Sequence, residues 1–337
     1  MTRQLDPVLI AGDIGGTKTL LALYTRERGP RRSVAQAEFR SANYDGLENM
    51  VEEFLARSGA RPAAACFDVA GPVVRGRAQL TNLPWVLEEE ALCSSLRLRS
   101  VTLLNDLQAM AHAVPQLRPD EVQTVKPGRA QPRGAIAVIA PGTGLGEAFL
   151  IWNGAEYLAC PSEGGHADFA PADELQMELL RYLRARQERV GYERVCSGTG
   201  LTNVYEFLRD TRHAPEPADF TARLAHAHDR TPLIAEAGLS EPVRNPLSAM
   251  ALQTFVSILG AEAGNLALTV LATGGVYLGG GIPPRILPML MDERFIKAFV
   301  NKGRFEEMMK EMPVHVIVTR AALLGAAMFG LTRLNAE

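Results

Sequence analysis

The stretch AGDIGGTKT, residues 11–19, decides how the rest of the chain is read. It comes within one residue of a P-loop, which needs Gly, four residues, then Gly-Lys-Ser/Thr. Counting from Gly12, the second glycine should fall at position 17, where Thr17 stands. The flanks fail too: an apolar run precedes the turn and TLLALYT follows it, the pattern of strand, turn, strand. A P-loop instead runs from a strand into a helix. Two readings remain. The stretch is either a plain tight hairpin or a phosphate-binding turn of another kind, in which backbone amides and the Thr17 hydroxyl meet phosphate while Gly15 and Gly16 let the backbone come close.

The pattern restarts at GAIAVIAPGTGLGEAFLIWNG, residues 134–154, with a second turn at Gly142, Thr143 and Gly144. A dinucleotide fingerprint does not fit it. The glycines fall at 142, 144 and 146, whereas the Rossmann spacing puts the third where Glu147 sits, and no helix follows. A repeat at domain length is not a solenoid, whose units run about 20 to 50 residues. It predicts two related domains facing one another, in keeping with a chain of 337 residues, too long for one ordinary core.

Around the turns, SVAQAEFRS, AAACFDVAGPV and SVTLLND read as strands, and DGLENMVEEFLARSG as a helix capped by Asp45 and stopped by Gly59. Later helices are predicted over DELQMELLRYLRARQ, GLTNVYEFLRD and NPLSAMALQTFVSILGAEAGNLALTVLA, with a polar, proline-containing connection at 210–246. No charge occurs between Glu262 and Arg285, but the glycines there favour a buried element over a bilayer span.

At 47% hydrophobic and 22% charged, the composition is that of a soluble globular protein. A formal charge of −3 argues against a nucleic-acid surface, and the basic run RERGPRR at 26–32 reads as a hairpin tip in water. Cys66, Cys93, Cys160 and Cys196 are too scattered for a zinc knuckle or a redox pair, so reduced thiols and a cytoplasmic location are expected. The opening MTRQLDP offers no apolar signal segment.

Four places carry candidate chemistry. Asp13, at the end of the first strand, could hold the water shell of Mg²⁺, which takes a few carboxylates plus substrate phosphates, or could simply form the turn. Asn105 and Asp106 end a buried strand and open the helix LQAMAHAV; Asp106 is placed either to take a proton from a substrate hydroxyl or to cap that helix. Glu163 and His166 stand three apart in SEGGHADFAP, where Gly164 and Gly165 argue against a helical metal motif and for a polar pocket that hydrogen-bonds a polyol. Glu193 sits in the Gly/Ser-rich stretch GYERVCSGTG, although a lone Glu is most often solvated.

Read in order, GDIGGTKT, LNDLQAMA, PGTGLGEAFL, SEGGHADFAP, ERVCSGTGL and GGVYLGGGIPPR resemble the bacterial ATP-dependent glucokinases of the non-ROK type, in the hexokinase/actin-like superfamily. The resemblance runs from about residue 8 to 330. It implies an α/β chain with the two-domain actin-like, ribonuclease H-like ATPase fold and a central cleft. Residues 1–115 with 320–337 would form the small domain and 116–319 the large one. It further implies ATP and Mg²⁺ as cofactors, glucose as the sugar, and neither nucleic acid nor membrane as partner; a homodimer is compatible with it. Asp106 would be the base at the sugar 6-hydroxyl, with Asn105, Glu163, His166 and Glu193 as glucose ligands. ATP would be bound by Gly12, Asp13, Gly15, Gly16, Thr17, Gly142, Thr143, Gly144 and Gly280, with Asp13 reaching Mg²⁺ through water. ROK kinases follow their Gly-His with a zinc-binding cysteine cluster; here no cysteine follows His166 until Cys196, so zinc is not expected. Relatives often carry Asn at position 18, so Lys18 is given no catalytic role. A related hexose or amino-sugar kinase is the nearest alternative. A sugar-responsive regulator would need a DNA-binding domain before the first strand, and about seven residues precede it.

Overall fold

The structure is a computed structural model that describes residues 8–80 and 83–336; the opening MTRQLDP, and with it the expectation about a signal segment, lies outside those residues. The chain divides into two compact units, Met1–Leu117 with Thr319–Glu337, and Arg118–Val318.

In the first unit, β1 (Val8–Ile14), β2 (Lys18–Tyr24) and β3 (Ala35–Arg40) form an antiparallel meander, and β4 (Pro62–Val69) and β8 (Ser100–Asn105) extend it in parallel. The order is β3-β2-β1-β4-β8. Both faces of this sheet are covered, and the side-chain alternation shows how. Ile10, Ile14, Leu21 and Leu23 point to α1 (Leu47–Ser58) and α2 (Glu89–Leu96), while Leu9, Ala11, Leu20 and Ala22 point to the opposite face. That second face is closed by α3 (Asp106–Ala113) and by α12 (Ala321–Ala336), the helix that returns from the far end of the chain. A small sheet of β5 (Val73–Val74), β6 (Arg77–Gln79) and β7 (Val86–Glu88) sits beside them.

Helix α1 starts one residue later than Asp45 would require. Its N-cap is Gly46, with extended φ of −163° and no side-chain cap bond, because Asp45 lies one position too early to reach the first free amides. Gly59 does end it, in the left-handed conformation at φ 66°.

The second unit repeats the plan. Here β12 (Tyr157–Ser162), β11 (Leu145–Trp152) and β10 (Ile136–Pro141) form the meander, and β13 (Gly275–Leu278) and β14 (Val314–Ile317) the parallel extension, with β9 (Val122–Lys126) antiparallel at the edge. Its helices are α4 (Glu174–Arg184), α5 (Gly198–Asp210), α6 (Ala218–Ala225), α7 (Thr231–Ser240), α8 (Pro246–Val270), α9 (Leu287–Leu290), α10 (Glu293–Val300) and α11 (Glu306–Glu311). Among the described residues, α8 is long and apolar enough to cross a membrane, but 83% of its apolar window is buried inside the fold, which makes it a core helix. The connection expected over 210–246 is instead folded into α6 and α7. Phe220 with Leu224, and Ile234 with Ala237, are short apolar sets at helical spacing that pack into the core and order that segment.

Candidate active site

In the first unit the parallel strands place the candidate residues on one edge of the sheet. Ile14 of β1 is in register with Val69 of β4, and Val69 with Asn105 of β8, so the β1–β2 turn and the Asn105–Asp106 pair both emerge at the carboxyl ends of the strands. Ligands of open α/β sheets bind at such edges. Gly15 closes the turn by donating its N–H to the Lys18 carbonyl at 3.1 Å, and the Ser41 hydroxyl braces it from below by donating to the Gly15 carbonyl at 2.7 Å. Thr17 is exposed at the tip. Gly12 lies deeper, inside the sheet, where a Cβ would come 2.7 Å from Leu21 and 2.9 Å from Phe67, so its missing side chain is a packing requirement of the core. Lys18 is turned away into an ion pair with Glu38 at 2.6 Å.

Asn105 and Asp106 divide their work. Asn105 is the N-cap of α3: its Oδ1 accepts from the Leu107 and Gln108 amides at 3.0 and 3.3 Å, and its Nδ2 donates to the Gly71 carbonyl at 3.1 Å. These bonds leave one Asn105 amide hydrogen for a substrate. Asp106 opens the first turn of the helix, half-buried, with Oδ1 accepting from the Leu107 amide at 2.9 Å. The cap does not depend on Asp106.

A third carboxyl, absent from the sequence expectations, lies behind them. Asp68 on β4 is in register with Asp13, fully buried, and neither of its oxygens has a hydrogen-bond partner. Burial above all, then the charges of Asp13 and Asp106, push its pKa well above the ordinary carboxylate range. Burial raises Asp13 as well, against the opposing pull of the adjacent Asp68 carboxyl and then of Arg320. The sequence signal was available: one acid inside the apolar run AAACFDV.

In the second unit the Gly142–Gly144 turn and the Gly279–Gly281 stretch also share an edge, since Ile139 of β10 pairs with Leu278 of β13 and the Gly279 N–H donates to the Ile139 carbonyl at 2.8 Å. The N-terminus of α5 is tied to the same turn. The Gly198 N–H donates to the Gly142 carbonyl at 2.8 Å, and the Ser197 hydroxyl caps the helix by accepting from the Gly200 amide at 3.0 Å. Thr231 reinforces the join by donating its hydroxyl to the Gly198 carbonyl at 2.9 Å. These parts line a cavity of about 690 Å³ together with Thr199, Arg230, Gly281 and Arg285. The helix start and the Arg285 guanidinium suit an anionic ligand, while Arg230 is paired with Glu206 at 3.0 Å and Asp229 adds an acid to the lining. Gly281 lines this cavity; Gly280, the predicted nucleotide residue, has φ 80° and backs onto the Pro141 carbonyl. Ser197-Gly-Thr-Gly ahead of a helical run is the cap signal that would have found the α5 terminus.

Glu163, His166 and Glu193 come together on two interlocked 3-10 turns, Gly164–His166 and Tyr192–Arg194. The Tyr192 N–H donates to the Ala167 carbonyl at 2.9 Å, and Arg189 grips the first turn through the His166 carbonyl at 2.8 Å and Asp168 at 2.6 Å. Glu163 and His166 are exposed side by side, with His166 Nε2 3.9 Å from Glu163 Oε2. Glu193 reaches the end of the Gly142–Gly144 turn, where its Oε2 accepts from the Leu145 amide at 3.1 Å. One carboxylate thus links the Tyr192–Arg194 turn to the Gly142–Gly144 turn. Among the described residues no group of three or more His, Cys, Asp or Glu is arranged to hold a metal on its own.

Comparisons with known proteins identify the family. The profile of the family described as glucokinase matches residues 10–333. A glucokinase of Nostoc sp. (strain PCC 7120) is 40% identical over 341 residues, covering 95% of this chain and 98% of that protein. Among solved structures, a glucokinase from an Antarctic psychrotroph superposes with a TM-score of 0.79 at 30% identity, covering 97% of this chain and 99% of that one. The Balamuthia mandrillaris glucokinase, solved in complex with glucose, gives a TM-score of 0.80 at 21% identity over 97% of this chain and 94% of that one, and at that identity speaks for the fold.

Proposed function

Because the chain belongs to the glucokinase family, we propose that it transfers the γ-phosphoryl group of ATP to the 6-hydroxyl of D-glucose, giving ADP and glucose 6-phosphate. The observation that carries the mechanism is the placement of Asp106. Asn105 caps α3, so a carboxylate that the cap does not require stands at the carboxyl edge of the sheet, where substrates of such folds bind. Asp106 takes the hydroxyl proton as the sugar oxygen attacks phosphorus. Glu163, His166, Glu193 and the remaining Asn105 amide hydrogen bind the other sugar hydroxyls. A site that hydrogen-bonds each hydroxyl rejects an epimer, because the epimer covers one of these polar groups without giving it a partner.

For the nucleotide, the Gly15–Thr17 and Gly142–Gly144 turns hold phosphates by their amides and threonine hydroxyls. The cavity lined by Thr199, Arg230, Gly281 and Arg285 accepts the rest of the nucleotide, with Arg285 and the α5 terminus offsetting phosphate charge. Mg²⁺ fits the acid set of the first unit: Asp13 has a carboxyl raised by burial, with an unpartnered carboxyl behind it, and magnesium takes one or two carboxylates plus substrate phosphates. Asp13 would hold the ion through its water shell, and the ion would neutralise phosphate charge. The reading supports a cytoplasmic enzyme and leaves a homodimer open.

The test is a phosphoryl-transfer assay over several hexoses and donors, with and without Mg²⁺, on wild type and Asp106→Asn. The variant should bind glucose with near-normal affinity and lose turnover by about 10²- to 10⁴-fold, the usual worth of a general base. Near-normal turnover in Asp106→Asn removes Asp106 from the mechanism, and preference for another hexose replaces glucose as the substrate.

A further inference from the structure

Beneath the two turns that carry Glu163, His166 and Glu193 lies a pair of carboxyls that the proposed mechanism does not use. Glu147 of β11 and Glu262 of α8 are 3% and 5% exposed. Glu147 pairs in register with Ser162, and its carboxyl fills the space under Gly164, where a Cβ would collide with it. Glu262 connects to the other turn through Asn265. The Asn265 amide nitrogen donates to Glu262 Oε2 and to the Tyr192 hydroxyl, both at 2.9 Å, and Tyr192 opens the turn that contains Glu193. The Asn265 side-chain oxygen Oδ1 accepts from Lys302 Nζ at 2.7 Å, and Lys302 also donates to the Ala261 backbone carbonyl at 2.9 Å. Each turn therefore rests on one member of the pair, directly or through a single side chain.

The charge count of this pocket is short. Facing the pair are Tyr192, Cys196 and Lys302. Burial pushes the phenol and the thiol up, so both stay neutral, and among the described residues named with the pair Lys302 supplies the positive charge, its own pKa lowered by burial against the pull of Glu262. Two ionised carboxylates and one ammonium leave a net negative charge in a place closed to water; a single added proton makes the pocket neutral. Buried charge is tolerated only where it is compensated. The two carboxyls are hydrogen-bonded to each other; burial, then the neighbouring Glu262 charge and that hydrogen bond, push Glu147 up to about 8, and burial also raises Glu262, against hydrogen bonding from Asn265, Tyr192 and Glu147. One Glu147 oxygen has no hydrogen-bond partner, as suits the acid form better than the anion.

We propose that Glu147 and Glu262 share one proton, and that this proton holds the Gly164–His166 and Tyr192–Arg194 turns in their sugar-binding shape, so that sugar affinity falls when the proton leaves. This rests on the reading of Glu163, His166 and Glu193 as sugar ligands. Both glutamates are positioning residues. When both carboxyls ionise they repel, and the yielding walls are the glycine-containing turn above Glu147 and the Tyr192 turn beyond Asn265.

Stability should carry the same signature. The folded pKa of Glu147 lies above its ordinary value of 4.5, so the stability contributed by the held proton is complete below about 4.5 and is lost as pH rises to about 8.

The experiment follows thermal midpoints, and KM and kcat for glucose at saturating ATP, from pH 5 to 9.5 in wild type, Glu147→Gln and Glu262→Gln. In wild type, KM should rise about tenfold between pH 7 and 9.5 while kcat changes by less than about twofold, the split expected for loss of binding alone. In Glu147→Gln, KM should stay within about twofold over that range, and the fall of the thermal midpoint between pH 5 and 8 should flatten. In Glu262→Gln the lone Glu147 is matched by Lys302 and ionises at lower pH, so the alkaline rise in KM should vanish. A wild-type KM that does not move with pH, or a rise kept intact in Glu147→Gln, overturns the proposal. Should Glu147→Gln fail to fold, Glu262→Gln decides by the same two profiles. If no protein phosphorylates glucose, the functional reading fails, and the thermal profiles still decide whether a proton is shared.

Discussion

At Asn105 and Asp106, two adjacent residues with similar capping ability take different tasks, and the difference lies in geometry that spacing cannot supply. The sequence reading weighed only Asp106 as the cap of α3, although Asn is as good an N-cap as Asp. The structure gives the cap to Asn105, whose oxygen meets two amides, while Asp106 enters the first turn. Asn105→Ala should cost about 1 kcal/mol of stability, the usual value of a lost cap, read as a lower urea midpoint. It should also reduce turnover by more than that cost explains, because the cap sets where Asp106 stands. Unchanged turnover would mean that α3 keeps its start without the cap. Asp68 and Glu147 escaped the sequence reading for a related reason. A single acid within an apolar strand signals burial but not its company, and Glu262, the partner of Glu147, is distant in the chain.

Helices and strands were legible wherever a long periodic run met a clear stop. Gly59 ends α1 and the α8 run extends over Pro246–Val270, because glycine in a left-handed cap and sustained apolar spacing are local properties. The segment folded as α6 and α7 was not legible, since each helix offers only a short apolar set amid proline and histidine and is ordered by the core it meets. Close helix contact is also hidden from sequence. Gly325 of α12 lies against the backbone of α3, where a Cβ would run into the Ala109 carbonyl. Gly325→Ala gains about 1 kcal/mol of helix propensity. Overpacking against a carbonyl that cannot rotate aside costs about 1–3 kcal/mol, so a net loss is expected by calorimetry. Because α3 begins at Asp106, turnover should fall with it; a more stable variant would show that the two helices can part without strain.

For the whole molecule, the doubled plan was readable from two hairpin turns alone. Each belongs to a sheet of three antiparallel strands followed by two parallel ones, to which the second sheet adds β9 antiparallel at its edge. Which sequence completes which unit was implied only by the family resemblance, because the apolar face of α12 does not announce its partner. Leu323, Ala326, Ala327, Leu331 and Leu334 cover Leu9, Ala11, Leu20 and Ala22, contributed by strands from the other end of the chain. A chain ending at Val318 should leave that face bare and yield aggregated protein or a first unit with no cooperative melt, measured by solubility and circular dichroism. A soluble, cooperatively melting product would show that the sheet closes without the helix.

This arrangement also orders events on the ribosome. The strands between Val8 and Asn105 precede α12 in the chain, so their second face cannot close until Ala321–Ala336 has been made, whereas every segment of Arg118–Val318 is available before then. The unit whose strands are made earlier is therefore the later of the two to be completed, with one apolar face uncovered through that interval.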